Sequence, residues 1–79
     1  MDGVTMAGER EVRQLKRLVS ARLLREPGVC GVGVEKEQGG GYVLAIHVDD
    51  EDREIVRNPP EELRGQPVKF VRSGPFHKQ

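Results

Sequence analysis

The sequence predicts an α+β domain: one long N-terminal helix packed on a three-stranded, mostly antiparallel sheet of order 2-1-3, with a short helical turn before strand three. Three observations carry this expectation. Apolar residues recur at helical spacing from Gly8 to about Arg25. Two alternating apolar runs flank three consecutive glycines in Pro27–Asp50 (PGVCGVGVEKEQGGGYVLAIHVDD). A third alternating run, Gln66 to Ser73, follows a proline-containing connection. In order, 1–7 reads as a loose leader, 8–26 as the helix, 29–73 as the sheet with its connections and 74–79 as a tail, all within one domain.

In the helix, Val12, Leu15, Leu18, Val19 and Leu23 fall within a stripe of about 140° at 100° per residue, while Arg10, Arg13, Lys16 and Arg17 lie largely outside it. Glu9 and Glu11 in the first turn and Arg22 and Arg25 in the last oppose the helix dipole favourably. Pro27-Gly28 ends the helix. Strand one, Val29 to Lys36, places Cys30, Val32 and Val34 on one face and Val29, Gly31, Gly33 and Glu35 on the other. Strand two, Tyr42 to Asp49, places Tyr42, Leu44, Ile46 and Val48 on one face and Val43, Ala45 and His47 on the other. The two larger sets are expected to share the core face. In Asn58–Gly65, proline before and glycine after mark one short helical turn. Strand three then puts Val68 and Phe70 opposite Lys69 and Val71. A right-handed crossover from strand two is expected to lay strand three parallel to it on the far side of strand one, making the glycine-bearing strand central. The expected core is Val12, Leu15, Val19, Leu44, Ile46, Val68 and Phe70.

A chain of 79 residues with two Phe, one Tyr and no Trp has a small, aliphatic core, so a second copy or a partner covering one face is a natural supplement. Thirteen basic and thirteen acidic residues leave no net charge, which argues against nucleic acid or an anionic membrane as partner. The charge is uneven. Residues 1–28 carry six basic and four acidic groups, 29–62 carry three and nine, and 63–79 carry four and none. Opposite patches on so small a domain suit a protein partner or a homodimer. Cys30 is the only cysteine, so no internal disulfide forms and a reducing compartment is expected. Neither a signal-like N-terminus nor an apolar run of about 18 residues is present, which points to a soluble cytoplasmic protein.

The face bearing Gly31, Gly33, Val43, Ala45 and His47 is the candidate interaction face. Glycine inside a strand costs stability unless something approaches the backbone closely, so a helix or a partner is expected to cover it, and Gly33→Val is expected to destabilise the protein. Candidate chemistry is sparse. Cys30, His47 and His77 are the only soft metal ligands, and Cys30 and His47 are expected on opposite faces. The simpler expectation for Cys30 is a buried small apolar side chain. Asp49-Asp50-Glu51-Asp52 lacks the spacing of a calcium loop and reads as a solvated turn. The glycine runs at 31–33 and 39–41 do not open a helix, so they lack the phosphate-binding mechanism. Ser20 and Ser73 have no evident acid and histidine grouped around them. A non-catalytic module without cofactor or metal is therefore expected. The alternative is a small-ligand or metal-binding domain using Cys30, His47 or the acidic loop, with a pocket lined by Tyr42, His47 or His77.

The succession Val29-Cys30-Gly31-Val32-Gly33-Val34, then Tyr42–Val48, then Gly65-Gln66-Pro67-Val68 and Ser73-Gly74-Pro75-Phe76 resembles the small domain preceding the catalytic domain in some bacterial trypsin-like proteins. There a V-x-G-V-G-V strand is followed by an apolar strand, G-x-P-V and S-G-x-F. The resemblance covers about residues 27–76. It implies a non-catalytic accessory or pro-region-like module, such as a folding aid or inhibitor. No protease residue carries over, because the chain lacks that catalytic domain.

Overall fold

A helix α1 forms over Glu9–Leu23 because its apolar positions make one continuous stripe. The Glu11 side chain accepts a hydrogen bond from the Gly8 N–H at 3.2 Å and so satisfies one of the orphan donors at its start. In the computed structural model, which describes residues 8–73, Val12, Val19 and Leu23 of this helix are buried and Leu15 is half-buried. Leu18 is not part of that face and stands 80% exposed, since it lies at the margin of the 140° stripe. The helix also stops three residues short of the expected end at 26. Its last turn tightens into bonds from the Arg25 N–H to the Arg22 carbonyl and from the Glu26 N–H to the Leu23 carbonyl, as Pro27 keeps Glu26 out of helical backbone. The leader 1–7 and the tail 74–79 lie outside the described residues.

Strands β1 (Val29–Lys36) and β2 (Tyr42–Val48) form the expected antiparallel hairpin. Its loop is a turn closed by the Gly40 N–H on the Glu37 carbonyl, 2.9 Å, followed by Gly40 at φ +95°. This is the three-residue connection for which glycine at the left-handed position is favoured. The chain then runs through a short helix α2 (Glu54–Arg57) and a 3-10 turn (Glu61–Leu63) to β3 (Val68–Arg72). As expected, β3 is parallel to β2, but it lies directly beside it. The sheet order is therefore β1-β2-β3 and the sheet is mixed, which corrects both the 2-1-3 order and the mostly antiparallel character.

The reason is burial. Five residues of β2, Val43, Leu44, Ala45, Ile46 and Val48, are at most 1% exposed. An apolar run of this kind, broken only at His47, belongs at the centre of a sheet with a parallel neighbour, whereas glycine-bearing β1 is at an edge. The connection carries its own apolar groups, Ile55 and Leu63, into the core that α1 forms with Leu44, Ile46 and Val48. Arg22 of α1 pairs with Glu62 of the 3-10 turn. The helices and the connection thus share one face of the sheet. Of the expected core, Val12, Val19, Leu44 and Ile46 are buried, and Leu15, Val68 and Phe70 pack around them half-buried. No helix among the described residues is long and apolar enough to cross a membrane.

Candidate functional site

A bulge between Val29 and Gly31 shifts the register of β1, so that Val29 pairs with Val48 while Gly31 pairs with His47. The extra residue is Cys30. The bulge turns Val29 onto the core and leaves Cys30 exposed, which corrects the expectation of a buried thiol. Its Sγ is 3.7 Å from the Gly28 carbonyl.

Beyond the bulge the alternation holds. Gly31, Gly33 and Glu35 oppose His47, Ala45 and Val43, while Ala45 and His47 oppose Lys69 and Val71 of β3. The face away from α1 therefore gathers Gly31, Gly33, Val43, Ala45 and His47 as expected, together with Glu35, Lys69 and Val71. The helix does not cover it. A Cβ added at Gly31 or Gly33 meets no atom of the described residues within 4 Å, so neither glycine is held by a packed helix.

A polar lattice lies on this face instead. Lys69 Nζ reaches from β3 across β2 to Glu35 Oε1 at 3.0 Å and to Glu37 Oε2 at 2.8 Å. The registers place this pair above Val43 and Ala45, both buried although they face away from the helix. Hydrogen bonds that it donates, first to Glu37 and then to Glu35, hold the Lys69 ammonium above its ordinary pKa. Its stabilising contribution is thus present below the ordinary lysine value and is lost only as pH rises through the higher folded one. His47 Nδ1 lies 2.6 Å from Ser73 Oγ, and its Nε2 lies 3.7 Å from Glu35 Oε2.

Ser73, His47 and Glu35 thus stand in sequence across three strands, a grouping that sequence reasoning missed. Ser73 follows β3, and only the correct strand order brings its hydroxyl to His47. A hydroxyl hydrogen-bonded to an imidazole is the first half of an activated nucleophile. The second half is weak here, because 3.7 Å exceeds hydrogen-bond reach and Lys69 already neutralises Glu35. The cavity of about 510 Å³ against α1 shares no lining residue with this cluster among the described residues, being bordered there by Glu9, Arg10, Arg13, Gln14 and Arg17 of one exposed helix face.

The acidic loop is engaged with itself. Arg53 donates two hydrogen bonds to Asp49, 2.9 and 2.8 Å, and Asp50 accepts one from the Asp52 N–H at 2.8 Å. Asp49 lies below its ordinary pKa chiefly through the Arg53 hydrogen bonds. Among the described residues no three of His, Cys, Asp and Glu gather as a metal-holding group. His77 lies outside the described residues. No protein-family model, curated protein or solved structure matches the chain.

Proposed function

We propose that this chain is a non-catalytic protein-interaction module whose contact region is the β1 edge with the part of the sheet face that borders it, Gly31, Gly33 and His47, while Val43 and Ala45 of that face lie buried beneath the Lys69 ion pairs. The observation carrying this reading is the position of β1. A strand with two glycines, open space above both of them and an edge location offers backbone rather than side chains to whatever meets it. The resemblance to accessory domains of bacterial trypsin-like proteins supports the same reading. A photoreactive residue placed at position 33 of the protein in its producing cell tests it, with the same residue at exposed Arg64 as control. A cross-linked band specific to position 33 is expected, and its absence at both positions defeats the proposal.

The contact of 2.6 Å between Ser73 and His47 favours a second reading, weak esterolysis. His47 takes the Ser73 hydroxyl proton as Oγ adds to an ester carbonyl, the alcohol leaves with a proton, and water cleaves the acyl-serine. Release of nitrophenol from p-nitrophenyl acetate that disappears in both Ser73→Ala and His47→Gln would support it. Equal rates in all three proteins would exclude it.

A further inference from the structure

Strand β1 is the longer of the two edge strands, and its first six residues lack the features that keep natural edges apart. Such edges are short, or carry charge, proline or a covering segment. β3 follows this pattern: it spans only Val68–Arg72, follows Pro67 and carries Lys69 and Arg72. β1 spans Val29–Lys36, contains no proline and reads Val-Cys-Gly-Val-Gly-Val before its first charge. Its bulge lies at one end, leaving Gly31 to Lys36 regular. Among the described residues no strand lies beyond it.

Hydrogen bonding identifies the groups this edge presents. The Glu37 N–H donates to the Gly41 carbonyl at 2.8 Å, and bonded pairs in an antiparallel ladder recur at every second residue. Glu35, Gly33 and Gly31 therefore direct their backbone groups at β2. Val32, Val34 and Lys36 direct theirs outward.

Resting on the reading of this chain as an interaction module, we infer that its partner is a second copy, joined antiparallel through β1 to β1 about a two-fold axis at Gly33, so that two three-stranded sheets become one of six. Symmetry and the outward set allow three registers that pair both valines within the strand. Centring on Val32 pairs Val32 with itself and Val34 with Cys30. Centring on Val34 pairs Val34 with itself and Val32 with Lys36. Centring on Gly33 sets Val32 against Val34 of the other copy twice, on the core side, and buries apolar against apolar at both places. On the opposite face this register puts Gly33 beside Gly33 and Glu35 opposite Gly31 of the second copy. Gly31 has no side chain to obstruct the Glu35 carboxylate, which keeps its own pairing with Lys69 at 3.0 Å. The doubled valine pairing, in a register that sets no like charges opposite one another, selects a second copy over a foreign strand.

The test compares the full chain with two kinds of variant by light scattering and circular dichroism. Wild type is expected at twice the chain mass at high concentration, and a monomer at every concentration overturns the inference while the cross-link at position 33 still decides the broader reading. Val32→Pro removes an outward N–H and leaves the β1–β2 bonds intact, as proline is tolerated at an edge. A monomer with an unchanged spectrum is expected, and a persisting dimer overturns edge pairing but not self-association. Should that variant unfold, cysteine scanning in a Cys30→Ser background decides. Gly33→Cys sits at a non-hydrogen-bonded pair, within disulfide reach of its mate. Gly31→Cys sits four residues out of register, about 13 Å from its mate. Rapid oxidative dimerisation of Gly33→Cys alone supports the register; equal rates, or none, overturn it.

Discussion

Gly28 has φ of +90°, and a Cβ there would run into the Cγ, Cδ and Nε of Arg53, whose side chain lies across it. Left-handed backbone costs a non-glycine residue about 1–2 kcal/mol, and displacing Arg53 also breaks its pair with Asp49. Gly28→Ala is therefore expected to lower stability by at least that amount in denaturant titration. Gly33 is the opposite case. Since a side chain there meets open space, Gly33→Val should replace a flexible residue by one suited to a strand and gain about 0.5–1 kcal/mol. A higher melting temperature of the purified protein is expected, and a lower one would show the face to be covered. This reverses the outcome expected from sequence, because that expectation took a helix or a partner to cover Gly33. Residue alternation shows which side of a strand a glycine faces; it does not show what lies above it.

The hairpin and the long helix were legible because both are local. Alternation over Val29–Lys36 and Tyr42–Val48 and the 3.6-residue period of α1 need only near neighbours in sequence. The bulge at Cys30 was not, since one extra residue leaves the same letters in the same order and moves Val29 rather than Cys30 to the core. Likewise the order of strands depends on Ile55 and Leu63 finding the core, and short elements such as α2 carry little periodicity. That order in turn hid the grouping of Ser73 with His47. The connection after β2 starts with the Asp49–Arg53 pair, and this pair makes a prediction in acid. The folded carboxyl lies below its ordinary value near 3.8, so the pair stabilises the fold above that pH and its contribution is lost as pH falls through the lower folded value. Carboxyl carbon shifts should show Asp49 titrating below 3.8 in wild type and moving upward in Arg53→Gln. An unchanged midpoint would mean that Arg53 does not hold it.

Among the described residues ten apolar ones, from Val12 to Leu63, are buried. For a chain of this length total stability is about 4–12 kcal/mol, while truncating one fully buried leucine costs about 2–5 kcal/mol. Leu44 is fully buried at the centre of the sheet, between Val34 of β1 and Val68 of β3, so Leu44→Ala is expected to remove about a sixth or more of the stability. Leu24→Ala, at a position 52% exposed, should change little. Similar losses at both positions in urea titration would contradict this placement of the core.

The parallel pairing of β3 with β2 also sets a sequence of events at the ribosome. Helix α1 and the hairpin are complete in the emerging chain while the side of β2 reserved for β3 is still bare, and it stays so until residues 49–67 and then β3 itself have been made. At about 5–20 residues per second this lasts roughly 1–5 s. During that interval the most apolar strand of the protein has one unpaired flank, and a stalled or truncated chain ending before Val68 keeps it. Such fragments are the form of this protein most in need of a chaperone, although the finished domain closes that flank with a strand of only five residues.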